Sequence, residues 1–345
     1  MVVVNLLLAM LTLFPPTDSR VRIMGRHEVV TQDSVRFAAS GVVISVQFRG
    51  TSVAVDLHDE FRGGSSYNWF TVMIDGVEHS RFRTLSGQTR YVLAESLPAG
   101  SHRLDLIKDT EGQNGWNALT GIHAEALAEL PPAPERKIEF IGDSITCGFG
   151  VDDSLIGCKD GTWFDQHRAS HAFGPLTARR FNAQYMLTGF SGMGMYRNWN
   201  SLAPVVPQRY DGVFADYEES PAWTHASFSP QLIMVAVGTN DFSDGDGVTP
   251  RAAFDPDAYL SAYSGFVARL RSVHPQAKIL LTASPTMNPE RLAMQLSLLR
   301  QIPGVTVYSF KNRYNQGCNG HPNAAEQRQM SDELIPVISS LMSWP

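Results

Sequence analysis

The proline run Leu130-Pro131-Pro132-Ala133-Pro134-Glu135 constrains this chain more than any other stretch, because the hydrophobic pattern differs on its two sides. Three prolines in four positions lack the N–H groups that a sheet ladder needs, and they favour a stiff, extended connector. Before the run, short β-rich segments follow one another without a convincing helical period. After it, apolar runs alternate with amphipathic helices. The expected organisation is multidomain: a leader-like segment over 1–20, an all-β jelly-roll sandwich over 21–130, a linker over 131–136, and an α/β/α domain with a parallel sheet over 137–345. A chain of 345 residues is long enough for two cores.

In the first domain, 42–48 and 52–57 are strand candidates divided by Arg49-Gly50-Thr51. Residues 69–74 run into Asp75-Gly76, a dipeptide that accepts the positive dihedral angles of a tight hairpin. Further strands are expected over 91–94, 102–108 and 119–126. In the second domain the apolar runs 138–141, 185–187, 232–237, 279–283 and 305–310 are short and bounded by turn residues, as buried parallel strands are. Asp255-Pro256-Asp257 supplies a helix cap and a first-turn proline, followed by Tyr259, Tyr263, Phe266, Leu270 and Val273 at helical spacing. Asn288-Pro289-Glu290 opens a second helix. Asn323-Ala-Ala-Glu326 has capping-box spacing before a last one, in which Pro336 is a kink site.

Charge and cysteine content narrow the function. A net charge of -6 gives no electrostatic reason to expect nucleic acid as a partner. Residues 1–14 are apolar apart from Asn5 and Thr12, which resembles the core of a secretory signal, although no Lys or Arg precedes the run and no small-x-small cleavage site follows it. A misplaced start or a short buried strand would explain the same residues. The expectation is a secreted or periplasmic protein. No membrane span is expected, because the run is shorter than the roughly 20 residues such a helix needs. Cys147, Cys158 and Cys318 are too few for a disulfide scaffold or a four-ligand zinc site. At most one bridge can form among them, and Cys147 with Cys318 is the pair considered, should their two loops converge.

The chemistry gathers at strand ends. The first apolar run of the second domain stops at Gly142-Asp143-Ser144. Ser191-Gly192-Met193-Gly194 follows the second run, Gly238-Thr239-Asn240-Asp241 the third, and Gly320-His321-Pro322-Asn323 precedes the last helix. Open α/β sheets collect ligands at the carboxyl ends of their strands. A hydroxyl, an imidazole to take its proton, and donors for an oxyanion form the set an esterase requires. Gly189-Phe190-Ser191-Gly192-Met193 lacks the final glycine of a G-x-S-x-G elbow, which leaves Ser191 a poor nucleophile candidate. Asp244-Gly-Asp246-Gly247 lacks the ligand spacing of an EF-hand calcium loop.

These four blocks, in this order, resemble the SGNH or GDSL-type hydrolase superfamily. The texts Gly-Asp-Ser-Ile-Thr-Cys-Gly, Ser-Gly-Met-Gly-Met-Tyr-Arg-Asn, Gly-Thr-Asn-Asp and Gly-Cys-Asn-Gly-His-Pro are similar to the versions in carbohydrate esterase family 2. That family also carries an N-terminal jelly roll, and Gly25-Arg26-His27, Ile74-Asp75-Gly76 and Gly100-Ser-His-Arg look like its recurring phrases. The resemblance implies Ser144 as nucleophile and His321 as general base, then acid. The oxyanion hole would combine the Ser144 N–H, the Asn240 side-chain amide and one glycine N–H, with Gly194 the first candidate and Gly192 the alternative. No metal or cofactor is implied. The activity would be release of O-acetyl groups from acetylxylan, glucomannan or their oligosaccharides, with sugar O-6 a candidate position.

One position departs from the superfamily, which commonly has an aspartate three residues before the histidine; this chain has Cys318 there and Asn319 next to it. A carboxylate normally fixes the imidazole tautomer. Here a backbone carbonyl near Cys318 or the Asn319 side-chain oxygen is the expected substitute, with a distant aspartate the less favoured alternative. Asp143, adjacent to the nucleophile, is expected to stabilise its loop and not to back His321. Arg197, Asn198, Trp163 and Trp223 are candidates for sugar contact, as is Trp199. A carbohydrate-binding protein with weak or no catalysis, and a lipid or thioester hydrolase on the same fold, are the competing functions.

Overall fold

The computed structural model describes residues 11–345. The chain divides into two compact units, Met1–Ala133 and Pro134–Pro345, so the division falls within the proline run. The first half of the leader-like segment lies outside the described residues. Its later part does not stand apart: Thr12–Phe14 pairs antiparallel with Asn117–Ala124 as a strand of the first unit.

The first unit is a β-sandwich of two six-stranded antiparallel sheets. One sheet runs Glu28–Thr31, Ser34–Phe37, Asn117–Ala124, Val53–Asp59, Arg90–Ala94, with Thr12–Phe14 also paired to Asn117–Ala124; the other runs Ala126–Ala128, Val43–Gly50, Gly100–Lys108, Trp69–Ile74, Val77–Arg83, with Arg22–Met24 also paired to Val43–Gly50. Phe37, Phe48, Val55, Phe70, Leu106 and Leu119 form part of the core of this unit. Asp75 and Gly76 both have positive φ, 52° and 80°, which closes the hairpin as their types suggest.

The second unit is built on five parallel strands: β1 (Arg136–Gly142), β2 (Ala183–Gly189), β3 (Leu232–Ala236), β4 (Lys278–Thr282) and β5 (Thr306–Tyr308), in the order β2-β1-β3-β4-β5. The chain order reverses between β1 and β3, so a crevice opens there at the carboxyl edge. Apolar runs buried on both faces explain β3, where Leu232, Ile233, Met234 and Val235 are fully buried. Glu139 in the middle of β1 is tolerated because Thr188 Oγ1 and Tyr210 Oη donate to its carboxylate at 2.7 and 3.0 Å. Three helices begin at the expected caps. Asp255 caps Pro256–Val273, Asn288 caps Pro289–Leu299, and Asn323 forms a capping box with Glu326 for Ala324–Met342, which continues through Pro336. Among the described residues, no helix is long and apolar enough to cross a membrane.

Candidate active site

β1 ends at Gly142, and the chain turns at once into the short helix Ser144–Cys147. Only glycine fits at 142, since a Cβ there would stand 1.9 Å from Thr146 Oγ1. Asp143 caps the turn, its side chain accepting the Ile145 N–H at 3.0 Å. Burial pushes its carboxyl up to about 6. Asp143 therefore secures the turn that carries Ser144.

The turn delivers the Ser144 hydroxyl to His321: Oγ and Nε2 are 2.8 Å apart. On the far side of the ring, Nδ1 lies 3.1 Å from the main-chain carbonyl of Asn319. A carbonyl oxygen only accepts, so Nδ1 carries the hydrogen and Nε2 presents its lone pair to the serine. Of the two expected substitutes for the aspartate, the backbone carbonyl holds this place and the Asn319 side-chain oxygen does not. Cys318 has a different part. Its carbonyl accepts the His321 N–H at 3.2 Å, and its sulfur bonds to Cys158. The bridge is thus Cys158–Cys318, and Cys147 is a buried residue outside it, packed under Gly189.

Hydrogen bonding sets the two glycines apart. The Gly194 N–H donates to Asn198 Oδ1 at 3.1 Å, and the residue is hemmed in by Arg197 O and the Asp241 carboxylate. It has no donor left for an oxyanion. Gly192 has φ 77°, open space where a Cβ would be, and an N–H that meets no acceptor among the described residues. The Ser144 N–H, at the start of its helix, likewise meets none. Asn240 Nδ2 donates one hydrogen to Met193 O at 2.8 Å and keeps its second. Ser144 N, Gly192 N and Asn240 Nδ2 are therefore the available donors.

The loop after β2 is shaped by a residue that motif reading passed over. The Asp241 carboxylate accepts the N–H groups of Met195, Tyr196 and Arg197 at 2.8 to 3.2 Å. Burial raises its carboxyl to about 6 against the pull of those three bonds. Its signal in the sequence was adjacency to Asn240.

Arg197 and Asn198 brace the same loop. Arg197 is buried, with Nε on Asp241 O at 2.7 Å and Nη1 on Ala252 O at 2.6 Å. It lines a cavity of about 390 Å³ with Arg251, Phe254, Asn288 and Met294, and that cavity includes neither Ser144 nor His321. Besides its bond to Gly194, Asn198 donates through Nδ2 to Ser201 Oγ and Pro204 O.

The tryptophans separate. Trp163 is 41% exposed and stacks on Phe149, whose ring packs 4.3 Å from His321. Trp199 is 44% exposed, and its backbone N–H donates to Gly192 O at 2.8 Å. Trp223 is instead joined to Asp211 O, and Asp211 pairs with Arg269 near the C-terminal end of Pro256–Val273. That end leads into the start of β4, at the sheet edge opposite Ser144, which removes Trp223 from the site.

Comparison with known proteins locates both units. A model described as carbohydrate esterase 2 N-terminal matches residues 23–134, and one described as the GDSL-like lipase/acylhydrolase family matches residues 140–334. An acetylxylan esterase/glucomannan deacetylase of Cellvibrio japonicus is 29% identical over 338 residues, spanning 95% of this chain and 90% of its own. The structure of a family two carbohydrate esterase from Cellvibrio japonicus superposes with a TM-score of 0.86 at 27% identity, covering 97% of this chain and 98% of that one. One from Clostridium thermocellum in complex with cellohexaose gives 0.84 at 25% identity, covering 94% and 100%.

Proposed function

The chain belongs to the GDSL-like lipase/acylhydrolase family, a carboxylic ester hydrolase with a carbohydrate esterase 2 front domain, and from that premise we propose that it removes O-acetyl groups from plant polysaccharides such as acetylxylan or glucomannan through an acetyl-Ser144 intermediate. The observation that carries the mechanism is the 2.8 Å contact from Ser144 Oγ to His321 Nε2 with the opposite nitrogen on a carbonyl.

Nε2 removes the Ser144 hydroxyl proton as Oγ attacks the acetyl carbon. The carbonyl oxygen becomes an oxyanion held by the N–H groups of Ser144 and Gly192 and by Asn240 Nδ2. Collapse breaks the bond to the sugar oxygen, which leaves as a hydroxyl after taking the proton from Nε2. Water then attacks the acetyl-enzyme, giving its proton to Nε2, and acetate departs as Oγ is reprotonated. The Asn319 carbonyl fixes the tautomer throughout.

Support for a sugar as the alcohol comes from the two exposed indoles. Trp163 lies beside the base through Phe149, and Trp199 beside the oxyanion glycine. Apolar pyranose faces stack on such rings. Two relatives named acetylxylan esterase/glucomannan deacetylase support the polymer class, and primary O-6 acetyls are the position proposed within it. The Cys158–Cys318 bridge supports export, since structural disulfides persist in oxidising compartments.

The test compares wild type with Ser144→Ala on acetylated xylan, acetylated glucomannan and an aryl acetate, with released acetate identified in each case. Acetate release by wild type that vanishes in the variant is the expected result. Release of long acyl chains in preference to acetate, or equal release by both proteins, would sink the proposal.

A further inference from the structure

The turn that carries His321 is crosslinked to a loop outside the four sequence blocks. Cys158 and Cys318 are 160 residues apart in sequence. Cys318 is buried, and both of its backbone groups are engaged around the base: its N–H donates to Gly150 O at 3.0 Å, and its carbonyl accepts the His321 N–H. The next residue, Asn319, has φ 54° and turns its own carbonyl onto Nδ1. The loop that bears Cys158 also supplies Trp163 and His167, whose rings pack on Phe149 at 5.8 and 4.5 Å while Phe149 packs on His321. One loop therefore reaches the imidazole twice, by a covalent bond behind the carbonyl and by an aromatic column against the ring.

We propose that the Cys158–Cys318 bridge is the positioning element of the base, holding the Asn319 carbonyl on Nδ1 at the place where the superfamily commonly has an aspartate. The proposal rests on the esterase reading above. A neutral carbonyl attracts the Nδ1 hydrogen less strongly than a carboxylate would. Its direction must then be set by the turn, and the turn is anchored through Cys318. The sulfur of Cys158 belongs to an exposed residue, so a dithiol can reach the bridge. Dithiothreitol would be oxidised to its cyclic disulfide as Cys158 and Cys318 each gain one hydrogen.

The experiment uses the full chain in four forms: native, reduced with dithiothreitol without denaturant, reoxidised, and Cys158→Ser. For each, kcat and KM are measured on an aryl acetate and on acetylated xylan, and the Nδ1–H proton is followed by NMR. The expected result is a kcat on the aryl acetate lower by roughly ten- to a hundredfold in the reduced and Cys158→Ser forms, as for a misplaced catalytic group. Its KM should change little, the Nδ1–H signal should be lost to solvent exchange, and reoxidation should restore both. An unchanged kcat would overturn the proposal. So would a defect confined to KM for xylan, which assigns the bridge to the Trp163 loop alone, or a loss of kcat that accompanies loss of the folded circular dichroism signal. Should Cys158→Ser fail to fold, reduction and reoxidation of the native enzyme still decide. A native enzyme as inert as Ser144→Ala would sink the esterase reading instead, so the two failures are distinct.

Discussion

Ser144 stands on a turn in which every residue from 142 to 148 is buried, whereas Asn319 and Gly320, just before His321, are exposed. The first turn is fixed by its own backbone: Asp143 O accepts the N–H groups of Thr146 and Cys147, and Ser144 O accepts that of Phe149. The second contains consecutive positive φ values, 54° and 70°, and is anchored from outside by a bridge and a ring. Both deliver one atom to the same contact. In the proposed mechanism the nucleophile is thus placed by close packing at a strand end, and the base by tethering, which is the weaker form of order and the one open to chemical attack.

The strongest test of that contrast is whether the two turns still act as one unit. Ser144→Ala and His321→Ala should each lower kcat on an aryl acetate by roughly 10⁴- to 10⁶-fold, and the double variant should be little worse than either, because groups that act together are not additive. Multiplying losses in the double variant would mean that one of the two works without the other. Next in size is Asn240→Ala, expected to cost about 10²- to 10³-fold in kcat with little change in KM, as removal of an oxyanion donor does. A change in KM alone would remove Asn240 from the transition state.

Stability against pH separates the two turns in another way. Burial raises the carboxyls of Asp143 and Asp241 to about 6, both beside the nucleophile and oxyanion loops. Between about pH 4 and 6 the folded protein keeps protons that the unfolded chain has released, so each group's contribution falls as pH rises through that window and levels off above it. The size is on the order of 1 to 3 kcal/mol per group. Asp18 and Asp75 act oppositely, their carboxyls held low by hydrogen bonds from Arg20 and His102. Denaturant titrations of wild type and Asp143→Asn from pH 4 to 7 isolate the effect: the variant's stability relative to wild type should rise with pH up to about 6. A flat difference would show that Asp143 ionises in its ordinary range.

The same contrast explains what could be read from the sequence. The nucleophile turn is local, so Gly142-Asp143-Ser144 at the end of an apolar run identified β1, its turn and its hydroxyl together. Asn240 and His321 stood out for the same reason, each lying within its own short block. The bridge was not, because its cysteines are 160 residues apart and no local spacing records the pair. The choice between Gly192 and Gly194 depended on whether a side chain four residues on, Asn198, takes up the Gly194 N–H. In the fold, buried strands announced themselves by composition, while Val77–Arg83 lacks a buried residue and gave no pattern. Helix Phe173–Arg180, only eight residues and uncapped by any side chain, was passed over as well.

The smallest expected effect probes the tethered turn directly. Asn319 contributes its carbonyl, not its side chain, to Nδ1, and does so from a left-handed conformation. Glycine adopts that conformation without a Cβ penalty, whereas a β-branched side chain is strongly disfavoured there. Asn319→Val should therefore have a kcat about tenfold below that of Asn319→Gly, the equivalent of about 1 to 2 kcal/mol of conformational cost at the turn. KM on an aryl acetate should be similar for the two, because neither position nor side chain touches the acetyl group in the proposed mechanism. Equal kcat values for Gly and Val, both close to wild type, would mean that the bridge holds the carbonyl whatever stands at 319, and equal, large losses in both would mean that the asparagine side chain itself orients the base.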